Sequence, residues 1–323
     1  MTYQIPNELR EAFDQAKSIA VLTGTSLSEA CGNPDLLSLL KLLSSEEVPK
    51  AFTKQGFAKC PEMFYHAAAP IYQSLFKTPP SNQSQLDEEW FEPVFRSMFY
   101  ARPTLAHYAL ANWEKRKKEI YIVTSDMCEM HEKAGSTCVI EPYGSVFKLE
   151  CLYCHTIHSI NKFKNLLCAG VAPRCPECHT ILAPAIPLFK GNFDDISIQD
   201  IYRSPIFLSS PFDQALEYAR PWFGSPPDMN GWMHGAKKCL PDYIRKQMAD
   251  LVFIVGMSHR GNTPNDNDEI LFNLFIHNEL SDNNVVIIDK EPSNPFQHQR
   301  GDHPIWNNPY LLAGDIGEIL NSF

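Results

Sequence analysis

Four blocks of this chain are continuous apolar runs of strand length: Ser18-Ile-Ala-Val-Leu-Thr23, Glu119-Ile-Tyr-Ile-Val-Thr124, Ala249-Asp-Leu-Val-Phe-Ile-Val-Gly256 and Asn284-Val-Val-Ile-Ile-Asp289. Unbroken apolar runs, rather than alternation, mark strands covered on both faces. Val139-Ile-Glu reads as a further short strand. The segments between them carry helical spacing. Residues 8–17 place Leu9, Phe13 and Ala16 on one face, Pro103 to Glu114 reads as a helix, and residues 241–250 as a short one. Residues 36–118 read as mostly helical, with a Pro/Ser/Gln-rich loop at 78–85. Buried strands alternating with helices predict an α/β fold, a Rossmann-like parallel sheet with helices on both faces. No internal repeat is read.

Residues 190–240 break this rhythm. They are rich in proline, glycine, aspartate and aromatics, among them Tyr202, Phe207, Phe212, Trp222, Phe223 and Trp232. So many aromatics argue for an ordered insertion rather than a linker. The expected organisation is a large domain from 1–35, 101–144 and 241–323. The helical part of a small domain spans 36–100, a metal module 145–189, and the insertion 190–240.

The chain has 323 residues, of which 44% are hydrophobic, enough for a sizeable core. Lys+Arg total 28 against Asp+Glu 38, a net charge of −10. Such a balance disfavours nucleic acid and anionic membranes as partners. Met1 leads into polar sequence without an apolar leader, and no apolar stretch reaches membrane-spanning length. With ten cysteines in such a chain, a reducing, cytoplasmic setting is expected.

Four of those cysteines form two pairs, Cys151-Leu-Tyr-Cys154 and Cys175-Pro-Glu-Cys178, with twenty residues between Cys154 and Cys175. Each pair offers two thiolates on a tight turn, and two such turns supply the four soft ligands of tetrahedral zinc. With every position filled by protein, the metal is expected to be structural. His155, His158 and His179 stand beside the cysteines and read as surface residues or as support for the ligands.

The first apolar strand runs into Gly24-Thr-Ser-Leu-Ser28. A strand, a small-residue turn and a helix form the nucleotide-binding entry of a doubly wound fold. Ser26 and Ser28 read equally as phosphate contacts and as turn residues.

Several segments together resemble one family, the sirtuins. Ala20-Val-Leu-Thr-Gly-Thr-Ser-Leu-Ser28, continuing to Gly32-Asn-Pro-Asp35, resembles V-L-T-G-A-G-I-S followed by S-G-I-P-D-F-R. Pro103-Thr-Leu-Ala-His-Tyr-Ala-Leu110 is similar to P-N-x-A-H-x-A-L. Val123-Thr-Ser-Asp-Met-Cys-Glu-Met-His-Glu-Lys-Ala-Gly135 resembles T-Q-N-I-D-x-L-H-x-x-A-G, and Val139-Ile-Glu-Pro-Tyr-Gly-Ser145 resembles V-x-E-L-H-G-S. The cysteine pairs follow in order. Then come Gly256-Met-Ser258 for G-T-S, Val285-Val-Ile-Ile-Asp-Lys-Glu-Pro292 for V-V-I-I-N-x-E-P, and Gly314-Asp-Ile-Gly-Glu-Ile-Leu320 for G-D-A-G-E-V-L. The resemblance implies a Rossmann-like domain joined to a small domain of zinc ribbon and helical segment, with NAD in the cleft. NAD-dependent deacylation is the default chemistry. Breaking the nicotinamide–ribose bond develops oxocarbenium character and calls for oriented polar groups and a general base.

The departures fall on that chemistry. Tyr143 stands where the family has its general-base histidine, and a phenol of pKa about 10 is a poor base beside imidazole at about 6.5. Q-N-I-D becomes Ser125-Asp126-Met127-Cys128. The amide that helps hold ribose and water is thus a carboxylate, and the nicotinamide-anchoring Asp is a cysteine. Ser26 replaces a glycine and Leu37 an arginine. Gly24, Ser28, Asp35, Gly144, Gly256, Ser258 and Glu291 persist, and Asp289 replaces an Asn while keeping acceptors for ribose hydroxyls. Asp126 reads equally as a helix cap and a site carboxylate, Tyr143 as a filler of the vacant position, and His131 as a buried, hydrogen-bonded core residue.

The implied nucleotide site is therefore Gly24, Ser26, Ser28, Asp35, Gly256, Ser258, Asp289 and Glu291, with Asp126 and Tyr143 as the catalytic candidates. The expectation is a zinc-containing protein that binds NAD or a related nucleotide without ordinary deacylation. It would act as a sensing or partner subunit, or as a homo-oligomer, with 190–240 as the contact surface. The alternative is an NAD-consuming enzyme, a glycohydrolase or ADP-ribosyl transferase such as those of bacterial antiphage defence. A protein deacylase is the third reading. Pro187, which lacks a backbone donor where a substrate peptide would pair, weighs against it.

Overall fold

The computed structural model describes residues 3–24, 26–27, 30–31, 51–76, 101–116, 119–141, 144–186, 188, 249–257, 285–292 and 309–323. The expected helix over 241–250 lies outside them except for Ala249 and Asp250, which are not helical, and the insertion 190–240 lies outside them. The chain divides into two compact units. One is built from Met1–Cys31, Arg102–Pro142 and Ser210–Phe323, the other from Gly32–Ala101 and Tyr143–Ser209.

The first unit is a six-stranded sheet, all of whose described pairings are parallel. Its strands are β1 (Ser18–Thr23), β2 (Glu119–Thr124), β3 (Val139–Ile140), β7 (Leu251–Val255), β8 (Val285–Asp289) and β9 (Tyr310–Ala313). The order is β3-β2-β1-β7-β8-β9, which in chain order is the doubly wound arrangement with its reversal between β1 and β7. The expected parallel sheet is present, and the four apolar runs are its four central strands. β9 was not anticipated. It is an edge strand with Leu312 buried and Leu311 exposed, and its apolar run, Tyr310-Leu-Leu-Ala313, is shorter and only half-buried.

Helices α1 (Asn7–Gln15) and α4 (Leu105–Lys115) pack on this sheet, and α7 (Ile316–Asn321) closes the chain. Phe13, Trp113, Phe253 and Phe323 form one aromatic cluster. Phe13 and Trp113 centroids are 4.7 Å apart, Trp113 and Phe253 5.1 Å, and Phe253 and Phe323 5.4 Å, all edge-on. Trp113 Nε1 donates to Leu320 O at 3.2 Å, which gives the buried indole its partner. The strand starts are pinned by Asp250, whose Oδ2 accepts from the Lys17 and Ser18 amides at 2.7 and 2.9 Å.

The second unit joins α2 (Lys54–Lys59) and α3 (Pro61–Phe76) to a three-stranded antiparallel sheet. Its strands are β4 (Lys148–Glu150), β5 (Ile157–Ser159) and β6 (Ala183–Pro184), and α6 (Lys164–Cys168) follows β5. Helical segment and sheet are tied together: Tyr65 donates its hydroxyl to Leu182 O, and Gln73 Nε2 donates to Cys168 O at 2.7 Å. The small domain of zinc ribbon and helical segment is thus present as expected.

Candidate nucleotide site and metal centre

Parallel register decides what the sheet's carboxyl edge presents. Thr23 lies opposite Val255, and Val255 opposite Ile288, so the residues that follow, Gly24, Gly256 and Asp289, emerge together at the reversal point. This is where ligands bind in open parallel sheets. The loop after β1 crosses to β7: Gly24 N donates to Val255 O at 2.9 Å and Ser26 N to Gly256 O at 3.1 Å. Leu27 N closes back on Gly24 O, so the amides of Gly24, Ser26 and Leu27 are all engaged within the fold.

Gly256 has φ +61, and a Cβ there would collide with the Leu27 side chain and sit 3.3 Å from Ser26 Cβ. Only glycine meets both demands. The glycine crossing is thus required by the packing of the loop after β1 against β7 at the sheet's reversal point. Asp289 ends β8 half-buried, with Oδ1 accepting from Lys290 N at 2.6 Å, and Glu291 follows exposed. Ser28, Asp35, Ser258 and Tyr143 lie outside the described residues.

Asp126 is buried just beyond β2. Its amide donates to Thr124 Oγ1 at 3.0 Å, and its Oδ2 accepts from Met130 N at 3.2 Å. The carboxylate therefore caps the first amide of α5 (Met130–Ala134), although the N-cap position itself is Glu129, left-handed at φ 59. Cys128 is also buried, and burial, reinforced by the Asp126 charge, holds its thiol well above the usual range. Cys31 is pushed up to about 11 by burial and then Asp126. Neither is an activated thiolate.

His131 is a buried core residue, as expected, with Nε2 3.0 Å from Thr23 Oγ1 at the end of β1. A second buried histidine, to which the sequence assigns no role, stands beside it. His107, on α4, packs its ring 4.6 Å from that of His131. Its Nδ1 accepts from Thr104 N at 3.2 Å in a capping box. His107 Nε2 and His131 Nδ1 make no hydrogen bond among the described residues. Burial lowers the His107 pKa to about 4, and burial followed by His107 pushes His131 well below its ordinary value. Both rings are neutral at pH 7.

In the second unit, all four expected sulfurs, of Cys151, Cys154, Cys175 and Cys178, lie within 4.8 Å of one another. Tetrahedral zinc–sulfur bonds of about 2.3 Å require sulfurs about 3.8 Å apart. The pairs Cys154–Cys175 and Cys154–Cys178 stand at 3.6 and 3.7 Å, and Cys151–Cys178 at 3.3 Å. The donor set fits zinc.

The reading that the chain has no internal repeat is corrected here. Cys151-Leu-Tyr-Cys154-His-Thr-Ile157 and Cys175-Pro-Glu-Cys178-His-Thr-Ile181 share the pattern C-x-x-C-H-T-I. The turns fold alike. Cys151 N donates to Thr156 O at 3.0 Å and His155 N to Cys151 O at 2.8 Å; Cys175 N donates to Thr180 O at 2.8 Å and His179 N to Cys175 O at 2.9 Å. His155 and His179 are both left-handed, at φ 57 and 63, and exposed. Glu150 pairs with Ile157 and Arg174 with Ile181, so even the strand contact repeats. The repeat is visible in the sequence but is only seven residues long, and attention to cysteine spacing alone hides it.

A doubly wound parallel sheet with a glycine crossing at its reversal point, accompanied by a four-cysteine ribbon, defines a Rossmann-like protein with a candidate zinc site. The Sir2 family profile matches residues 72–205. The NAD-dependent protein deacetylase of Clostridium perfringens is 30% identical over 191 residues, covering 58% of this chain and 68% of that protein. The corresponding enzyme of Clostridium tetani is 30% identical over 193 residues, covering 58% and 69%. NAD-dependent protein deacylase 1 of Caldanaerobacter subterraneus is 28% identical over 184 residues, and the match spans 64% of its length, less than two thirds. A solved structure described as "The Structural basis of Sirtuin Substrate Affinity" superposes over 98% of this chain and 97% of its own with a TM-score of 0.54. At 20% identity it speaks for the fold alone. The chain belongs to the Sir2 family. No helix among the described residues is long and apolar enough to cross a membrane.

Proposed function

We propose that this chain binds NAD or a related nucleotide at the carboxyl edge of its sheet without carrying out ordinary deacylation, and that it works in the cytoplasm as a sensing or partner subunit. The observation that carries this reading is Asp126. The sirtuin pattern implies a neutral amide at that position, offered to ribose and water. Here a carboxylate is buried and turned onto the Met130 amide, where it starts a helix. The substitution of Tyr143 for the expected histidine supports the same reading from the sequence. Bound NAD would supply the scissile nicotinamide–ribose bond. Gly24 and Gly256 would admit it by close backbone approach, and the Asp289 carboxylate would accept from a ribose hydroxyl. The expected partner surface, 190–240, lies outside the described residues.

The test is nicotinamide release from NAD by the purified chain, with and without an acyl-lysine peptide, beside binding titrations of NAD and ADP-ribose. Saturable binding without release is the expected result. Release only with the acylated peptide would overturn the loss of deacylation, and release without peptide would make the chain an NAD-consuming enzyme. Absence of both binding and release would overturn nucleotide binding itself.

A further inference from the structure

The two knuckles share more than their cysteines: each ends in a threonine whose hydroxyl returns to its own second sulfur. Thr156 Oγ1 lies 3.1 Å from Cys154 Sγ, and Thr180 Oγ1 lies 3.4 Å from Cys178 Sγ. A zinc bound by four thiolates carries a net charge of −2, and Cys154 and Cys178 are the half-exposed pair of the four. Each hydroxyl has a single proton to give, and a thiolate is the neighbour that takes it most favourably.

The knuckles then differ in one respect. Two residues beyond Thr156 stands His158, while the equivalent residue beyond Thr180 is Leu182. His158 is buried on β5, held edge-on to Phe163 at 6.0 Å, with Nε2 2.9 Å from Thr156 Oγ1 and 3.7 Å from Cys175 Sγ. An Nε2–H at this place donates to the hydroxyl oxygen and leaves the hydroxyl proton for sulfur. Thr156 also lies 3.6 Å from Cys175 Sγ, so the first knuckle's polar pair reaches across to the second pair of ligands.

We propose that Thr156 and Thr180 are hydroxyl donors that stabilise the outer thiolates of the zinc-loaded knuckles, and that His158, donating to Thr156, makes the first knuckle the more tightly held half. The roles are positional: none of the three residues binds the metal. They relieve charge on the atoms that do, and so resist loss of zinc.

The test uses the full chain loaded with zinc, with competition against a chelator of known affinity and the rate of zinc transfer as readouts. Thr156→Val removes the proton and keeps the shape. It is expected to weaken zinc binding by about tenfold or more, whereas Thr156→Ser keeps the affinity. Thr180→Val is expected to weaken zinc binding less, because its hydroxyl is farther from sulfur, exposed and without a second donor among the described residues. His158→Leu, which copies the second knuckle into the first, is expected to speed zinc transfer while leaving four sulfurs in place. In cobalt-loaded protein, Thr156→Val should shift the thiolate-to-metal charge-transfer band and Thr156→Ser should not. Unchanged affinity in Thr156→Val would overturn the proposal. So would failure of Thr156→Ser to preserve it, since the methyl group would then be what matters. Should Thr156→Val not fold, Thr156→Ser and His158→Leu still decide: the proposal fails if serine loosens zinc or leucine leaves transfer unaltered.

Discussion

At the carboxyl edge of the parallel sheet, buried polar side chains are held by neighbours in the same loop or one strand away. Asp126 takes the Met130 amide, His131 meets Thr23, and His107 meets Thr104. In the zinc unit the polar groups converge instead on four sulfurs, through two copies of one turn. The difference shows two ways of building a site. The sheet edge is assembled by register from segments far apart in the chain and rests on an apolar core. The four-cysteine unit is assembled by short turns around a candidate metal site. Perturbations of the two should therefore separate.

Removal of zinc should show the largest contrast. Chelation, or Cys151→Ser with Cys175→Ser, is expected to open β4 to β6, because four thiolates without a cation repel and structural zinc contributes folding free energy outright. Amide hydrogen exchange should rise across 148–184 while β1, β2 and β7 keep their protection. A uniform rise would show that the sheet unit depends on the metal as well.

Next in size is Gly256→Ala. The substitution adds a left-handed alanine to a collision with Leu27, a loss of roughly 1–3 kcal/mol. It should lower the denaturation midpoint of the sheet unit and weaken nucleotide binding, while zinc affinity stays as it was. An unchanged nucleotide titration would remove the glycine crossing from the candidate site.

Acid should act on the sheet edge through its histidine pair. The folded His107 pKa is lowered to about 4 from an ordinary 6.5. Between those values the unfolded chain binds a proton that the folded chain refuses, so stability falls as pH drops from 6.5 toward 4 and is flat above that window for this group. His131, lowered in the same direction by burial first and then by His107, adds to the same acid slope. Chemical denaturation at several pH values should show the slope in the parent and a shallower one in His107→Gln.

The smallest effect belongs to the knuckles. His155→Gly and His179→Gly relieve left-handed strain at φ 57 and 63, and each is expected to stabilise its turn by about 1 kcal/mol or less. Equal small gains would confirm that the turns are equivalent. A loss at His155 alone would instead give weight to its contact with Glu150, 3.6 Å away.

Much of this was legible in the chain itself, for identifiable reasons. β1, β2, β7 and β8 announce themselves because a strand covered on both faces excludes polar residues along its whole length. The metal centre is legible because tetrahedral ligation by four cysteines needs two tight turns, and tight turns have fixed spacing. β9 escaped because its apolar run is only four residues long and half-buried, and the His107–His131 pair escaped because 23 residues, a strand among them, separate two side chains that only packing brings together.

Local sequence thus determined the buried strands, the cysteine knuckles and the family's chain of motifs, since each depends on the pattern of residues within one turn or one strand. Tertiary structure alone decided that Gly24, Gly256 and Asp289 share one edge, that the Asp126 carboxylate is turned onto a helix start, and that His158 stands behind one threonine and not the other. Those outcomes depend on register and burial, and register is settled only when distant strands pair and exclude water between them.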